Sequence, residues 1–262
     1  MNGATAASLD HGDGPRRHKT AARVDGNLVY AIGDIHGRYD LFRAMMARIA
    51  DDAAGRMGTR RPILVTCGDY IDRGPQSAEV LAALDHIRRS SRIDLRPLLG
   101  NHEQSLLDFL SAPRGAGAWL EFGGAATLRS YGVLPPADRS DPACMERARD
   151  DLLARMPVAH LQLLQSLQAM AVIGDYAFVH AGIRPNVPLS RQRTADLLWI
   201  RAGFLDHTGM FEKRVVHGHS WIDRHPEIFD NRLGLDTGAY ETGILSAARI
   251  EDNAVEILQV SV

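Results

Sequence analysis

Three short runs of this 262-residue chain carry carboxylate, amide and imidazole groups in a fixed order. They are Gly33-Asp34-Ile35-His36-Gly37, Gly68-Asp69-Tyr70-Ile71-Asp72-Arg73-Gly74 and Gly100-Asn101-His102-Glu103. A single Gly-Asp pair marks a turn and says little. Three in series, each after an apolar run and each opening a helical pattern, put ligand atoms on successive strand-to-helix loops, where a parallel sheet gathers its site. Hard oxygen donors with imidazoles suit two divalent cations, provided one carboxylate can bridge them. Asp34 and His36 are two apart in a loop and can face one ion, while Asp69 ends the neighbouring strand and can span both. Asn101 adds an amide oxygen from the third loop. His180, before Ala181-Gly182, and His219, after Gly218, stand where strands run into glycine-containing turns and complete a second set. His217 lies two residues before His219, faces the same side in a strand, and spacing does not choose between them. The chemistry expected of such a centre is hydrolysis of phosphate esters.

The elements that must hold these groups are legible in the apolar pattern. Asn27–Ile32, Pro62–Cys67 and Ile93–Leu99 read as strands. Helical stripes follow each: Leu41, Phe42, Met45, Met46 and Ile49, with Asp40 placed to cap; Val80, Leu81, Leu84 and Ile87; Leu106, Leu107 and Leu110. This alternation predicts right-handed crossovers and a largely parallel sheet. Glycines and Pro135-Pro136 break the rhythm over 112–156, which reads as a helical insertion packed beside the site. Pro157 opens a helix whose stripe is Val158, Leu161, Leu164 and Leu167. The final third reads as antiparallel, with a hairpin at Gly174-Asp175-Tyr176 and strands at Val215-Val216, Glu227–Phe229, Gly243–Ala248 and Val255–Val260. The expectation is an α/β chain with two packed mixed sheets flanked by helices. Residues 1–22 form a disordered tail and 23–262 one domain in this reading.

These motifs, with Val179-His180-Ala181-Gly182, Leu198-Trp199-Ile200-Arg201, Val216-His217-Gly218-His219-Ser220 and Leu235-Asp236-Thr237-Gly238-Ala239, resemble the phosphoprotein phosphatase family of the calcineurin-like metallophosphoesterases, its bacterial and phage members above all. The resemblance covers the chain from about residue 27 onward and implies an α/β/β/α sandwich. It implies Asp34, His36 and Asp69 on a first metal, and Asp69, Asn101, His180 and His219 on a second, selecting His219 over His217. Bacterial relatives make Mn²⁺ the first expectation, with Fe or Zn²⁺ open to the same donors.

Two ions roughly 3.5–4 Å apart clamp phosphoryl oxygens and bring a bound water near neutral pKa, so that hydroxide attacks phosphorus in line. The departing alkoxide needs a proton, and His102 beside Asn101 is the expected general acid, with Asp72 holding its imidazole. Arg73 and Arg201 are expected to grip the remaining phosphate oxygens.

Three positions sort the branches of the family. Phosphodiesterase-like relatives place a second histidine two residues after the first, where this chain has Trp221. Symmetrical diadenosine tetraphosphate hydrolases typically carry Ala where this chain has Asp72, and end the third motif in Asp where it has Glu103. Leu99 points the other way, since phage-type phosphatases have Arg there and the dinucleotide hydrolases do not. The expected activity is therefore a phosphomonoesterase of the Ser/Thr protein phosphatase type with broad tolerance, and the alternative is a dinucleotide polyphosphate hydrolase.

A net charge of −2 gives no basic footprint for nucleic acid, and the N-terminal stretch has no apolar segment that could be a leader or a span. Cys67 and Cys144 are too few for a disulfide framework or a zinc-thiolate site, as in a reducing cytoplasm. The expected partners are a phosphorylated protein or small phosphate ester, with no nucleic acid and no membrane, and the expected state is a monomer.

Overall fold

The computed structural model describes residues 22–56, 61–90 and 92–261, so the tail expected to be disordered lies, apart from Ala22, outside the described residues. Leu28–Ile32 (β1), Ile63–Thr66 (β2) and Asp94–Pro97 (β3) pair in parallel, with Val29 opposite Ile63 and Ile63 opposite Asp94. The crossovers are the helices Tyr39–Ala54 (α1) and Ser77–Arg89 (α2), and Asn101–Ser111 (α3) leaves β3. Asp40 falls in the first turn of α1 instead of at its cap, where its carboxylate suits the helix dipole and accepts both Nε and Nη2 of Arg38.

Short helical pieces follow: a 3₁₀ turn at Pro113–Gly115, Gly117–Trp119 (α4), a π turn at Leu120–Gly124 and Ala125–Ser130 (α5). Pro142–Arg155 (α6) is capped by Asp141, which accepts the Ala143 N–H at 2.9 Å. In Val158–Gln165 (α7) the buried face is His160, Leu163 and Leu164, and Val158 is 70% exposed. Of the expected stripe Leu164 is buried and Leu161 and Leu167 pack against the core, so Val158 alone departs from it, and His160 joins the buried side with its Nδ1 hydrogen bonding the Tyr131 hydroxyl at 2.8 Å.

Met170–Ile173 (β4), Tyr176–Val179 (β5), Thr194–Trp199 (α8), Arg214–His217 (β6), Glu227–Ile228 (β7) and Arg232–Gly234 (β8) come next. A short helix, Ala239–Thr242 (α9), precedes the hairpin Ile244–Glu251 (β9) and Ala254–Ser261 (β10). One sheet has the order β10-β9-β1-β2-β3 and the other β4-β5-β6-β8-β7. The antiparallel reading of the final third holds for β4/β5, β7/β8 and β9/β10, whereas β5, β6 and β8 run parallel. Parallel neighbours need long returns, and the segments at 180–213 and 218–231 supply them. The three-residue β8 was too short to register as a strand in the sequence pattern.

Alternation in β1 divides its side chains between two cores. Leu28, Tyr30 and Ile32 pack with Leu41, Phe42, Met45 and Leu81 of the helices, while Val29 and Ala31 meet Phe178, Val216 and Leu233 of the second sheet. Ala177, Val179 and Val215 on the outer face of that sheet are covered by Leu189, Leu197 and Phe204. The layers are therefore helix, sheet, sheet and a thinner cover of loops with α8. The two sheets approach closely at the end of β1, where a Cβ on Gly33 would lie 2.3 Å from the Leu235 carbonyl oxygen. Gly33→Ala is accordingly expected to destabilise the protein by about 1–3 kcal/mol, as overpacking of a tight interior does. A fall in the urea midpoint with an unchanged m-value checks this.

Candidate active site

Every loop that leaves β1, β2, β3, β5 or β6 toward the same edge carries one of the singled-out residues. Asp34 and His36 follow β1, Asp69 and Asp72 follow β2, and Asn101 and His102 open α3 after β3. His180 follows β5 and His219 follows β6. All eight are buried, none exceeding 8% exposure, against the usual preference of charged and imidazole groups for water. Eight non-glycine residues among those described have φ in the left-handed region, and five of them are His36, Asp69, Asp72, Arg73 and His219. Such conformations persist only where the surroundings impose them, and they concentrate at functional sites.

The hydrogen bonds at this edge specify which atoms remain available. His180 Nδ1 donates to the Cys67 carbonyl at 2.8 Å, and His36 Nδ1 donates to the Ile71 carbonyl at 2.9 Å. Each bond fixes the tautomer and leaves Nε2 as a lone pair directed into the site. His180 Nε2 then stands 2.7 Å from Asn101 Oδ1 and 3.4 Å from Asp69 Oδ1, acceptor against acceptor. His36 Nε2 faces Asp69 Oδ2 at 3.5 Å. His219 Nε2 and Asp34 Oδ1 are buried without any hydrogen-bond partner, while Asp34 Oδ2 accepts the His219 N–H at 2.9 Å. Lone pairs collected in this way are a donor set that suits a cation.

Among the described residues two groups place ligand atoms within 4.8 Å of one another: His36, Asp69 and His102, and Asp69, His180 and His219. Asp69 is common to both, as a bridging carboxylate must be. Burial lowers the pKa of His36 to about 3 and of His219 to about 2, keeping both imidazoles in the neutral form that ligates. Burial and the neighbouring charges of Asp236 and Asp69 push Asp34 upward, a repulsion that a bound cation would relieve.

His102 is held differently. Its Nδ1 donates to Asp72 Oδ2 at 2.6 Å, and its Nε2 lies 3.3 Å from Arg73 Nη2. Burial disfavours its charge, but the carboxylates of Asp69 and Asp72 outweigh burial and raise its pKa to about 8.

A cavity of about 330 Å³ opens onto this set, with the buried side chains of His36, Asp69, Asn101, His102 and His219 on its inner wall. Arg73 and Arg201, both exposed, supply the cationic groups of its lining. The Arg73 guanidinium stacks over Tyr240 at 4.5 Å. Phe122, 63% exposed, and Trp199, 50% exposed, stand at the mouth with Trp221 and Tyr240. All ten expected residues are thus brought to one edge, with Asp34, Asp72 and His180 just behind the cavity wall.

The sequence reading missed several residues that hold this arrangement. Glu103 accepts the backbone N–H groups of Asp69, Tyr70, Ile71 and Gly100, tying the β2 loop to the start of α3. Its place three residues after Gly100 is the N3 position of a capping box, a signal available in the sequence. Asp236, 6% exposed, accepts the Gly238 N–H at 2.9 Å, and its neighbour Leu235 sits against Gly33. Trp119 and Thr127 both hydrogen bond to Asp72 from a distance of about fifty positions, and no local pattern announced them.

The family model described as calcineurin-like phosphoesterase matches residues 28–236. The chain is 30% identical over 228 residues to serine/threonine-protein phosphatase 1 of Salmonella typhimurium, covering 85% of this chain and 92% of that protein. It is 31% identical over 164 residues to the symmetrical bis(5'-nucleosyl)-tetraphosphatase of Dechloromonas aromatica, covering 63% of this chain and 47% of that one. The cold-active protein-tyrosine phosphatase of a Shewanella species shares the fold, with a TM-score of 0.56, 19% identity and coverage of 89% and 80%.

Asp69→Asn preserves shape but removes the charge common to both ligand groups. Affinity for divalent metal is expected to fall by more than the roughly 10–100-fold that loss of an outer-sphere partner costs. Elemental analysis after equilibrium dialysis against Mn²⁺ checks this.

Proposed function

Since the chain belongs to the calcineurin-like phosphoesterase family, we propose that it is a dinuclear-metal phosphomonoesterase that dephosphorylates serine and threonine residues of proteins and tolerates small monoesters. The reading rests above all on the buried pair His102–Asp72, joined at 2.6 Å beside the metal-type cluster. A monoester leaves as an alkoxide and needs a proton donor at the leaving oxygen; an imidazole with a raised pKa and its Nε2 on the cavity wall is such a donor. Trp221, at the position where a diesterase-type centre has a further imidazole, adds to this reading.

The metals would be held by Asp34, His36 and Asp69 on one side and by Asp69, Asn101, His180 and His219 on the other. When bound, two divalent ions supply Lewis-acid neutralisation of phosphoryl oxygens and a water acidic enough to be the nucleophile. Mn²⁺ is our first choice on the resemblance to bacterial members of the family, since oxygen and imidazole donors without thiolate suit Fe and Zn²⁺ as well. Arg73 and Arg201 bind the outer phosphate oxygens and orient the ester. Asp72 keeps Nδ1 of His102 protonated, so Nε2 faces the cavity and carries the transferable proton. Phe122, Trp199 and the run of short helices at 112–156 contact what lies beyond the phosphate and so govern substrate choice.

A second reading, hydrolysis of a dinucleotide polyphosphate, is favoured by Leu99. It is 9% exposed and uncharged where a phage-type phosphatase has arginine, and a tetraphosphatase is about as similar to this chain as a phosphatase is. Phosphoserine peptides, p-nitrophenyl phosphate, its bis ester and diadenosine tetraphosphate, each assayed with Mn²⁺, separate the two. The monoesters are expected to lead, and much faster turnover of the dinucleotide would overturn the phosphatase assignment. His102→Ala is expected to lower kcat on alkyl phosphates by about 10²–10⁴-fold. The loss on p-nitrophenyl phosphate should be far smaller, because that leaving group departs without a proton.

A further inference from the structure

Asp72 does not hold His102 unaided. Fully buried, it takes hydrogen bonds on both oxygens: Oδ2 accepts His102 Nδ1 at 2.6 Å and Trp119 Nε1 at 2.8 Å, and Oδ1 accepts Thr127 Oγ1 at 2.5 Å. The Asp72 N–H in turn donates to Thr127 Oγ1 at 2.9 Å. A carboxylate with one imidazole partner can rotate about its terminal torsion or exchange oxygens. Two further donors placed on opposite oxygens leave it a single orientation, with the imidazole on the oxygen that also accepts the Trp119 N–H.

Both donors come from the short helices inserted after α3. Trp119 ends α4, is 3% exposed and packs its ring on Phe109 at 4.7 Å; Thr127 lies in α5 and is fully buried. Neither side chain is free to move, so each can act as a fixed reference. Between them lies the π turn, the kind of helix defect that recurs at functional sites. Its Gly123, at φ 123°, accepts the Arg73 N–H at 3.3 Å, and a Cβ there would meet Arg73 N at 2.7 Å. The same segment therefore grips Arg73 and the carboxylate next to it, two residues whose own backbone lies in the left-handed region.

We propose that Trp119 and Thr127 are positioning residues for proton donation, acting through Asp72 to aim His102 Nε2 at the leaving oxygen. The inserted helices are then part of the catalytic apparatus as well as a wall of the substrate cleft. No covalent change is added: the proton passes from Nε2 to the departing alkoxide, and Trp119 and Thr127 keep theirs. The inference rests on the phosphomonoesterase reading.

The test is a leaving-group series, from p-nitrophenyl phosphate to a simple alkyl phosphate, run on the full-length Mn²⁺-loaded protein. Trp119→Phe keeps the ring on Phe109 and removes the N–H; Thr127→Val keeps the volume and removes the hydroxyl. Each is expected to lower kcat on the alkyl ester by about 10–100-fold, the scale of a slightly misplaced group. The p-nitrophenyl ester should lose far less, with KM little changed on both. Thr127→Ser is expected to restore the alkyl rate. In a His102→Ala background neither substitution should slow the alkyl ester further. Equal losses across the series, no loss on the alkyl ester, or full additivity with His102→Ala would each overturn the proposal. If Thr127→Val does not fold, Trp119→Phe carries the same comparison alone. Failure of the phosphomonoesterase reading shows separately, as absent monoester turnover by the unmutated protein, and removes this inference with it.

Discussion

Acceptor atoms packed against acceptor atoms are what the fold at this edge is arranged to sustain. His180 Nε2 faces Asn101 Oδ1 and Asp69 Oδ1 in the interior, where the His102 N–H donates to Asp69 Oδ1 at 3.2 Å, and Asp34 Oδ1 and His219 Nε2 are buried without partners. A buried polar group without a hydrogen bond costs about 1–3 kcal/mol, so a cluster of them is held only by neighbours that are themselves satisfied. Those neighbours are identifiable. The Cys67 and Ile71 carbonyls orient His180 and His36, and Glu103 gathers four backbone N–H groups from two loops. Strands β1, β2 and β3 on one side and β5 and β6 on the other carry the ligands to a common edge. Two sheets pressed together are needed, because no single sheet edge offers enough loops.

Around that cluster the side chains sort by distance from water. The inner wall is neutral imidazole, amide and one shared carboxylate, a composition that suits divalent cations and fits the family to which the chain belongs. Outside it, Arg73 and Arg201 and then a ring of aromatic groups meet solvent. His102 sits at the boundary, its outer nitrogen toward the cavity and its inner nitrogen on Asp72. Relatives with similar identity include a protein phosphatase and a tetraphosphatase, so membership of the family does not by itself choose the substrate.

The inserted helices link these two layers. They carry Phe122 at the cavity mouth and, on their inner side, the Trp119 and Thr127 groups that touch Asp72. A change in this segment would reach Asp72, with the His102 imidazole bonded to it, and the cavity mouth together.

Much of this was written in the one-dimensional pattern. Gly-Asp-X-His, Gly-Asp and Gly-Asn-His-Glu identify their loops because each glycine-bounded turn follows an apolar strand, and such local signals survive without knowledge of the fold. The strands β1, β2, β9 and β10 and helices α1 to α3 follow from apolar spacing for the same reason. What the chain could not declare is anything that depends on which distant segments meet. The parallel pairing of β5, β6 and β8, the inward turn of His160, and the hydrogen bonds from Trp119 and Thr127 to Asp72 all join residues far apart in order. Which donor groups are present is thus a property of short motifs, whereas their orientation, tautomer and charge are set by neighbours that only folding supplies.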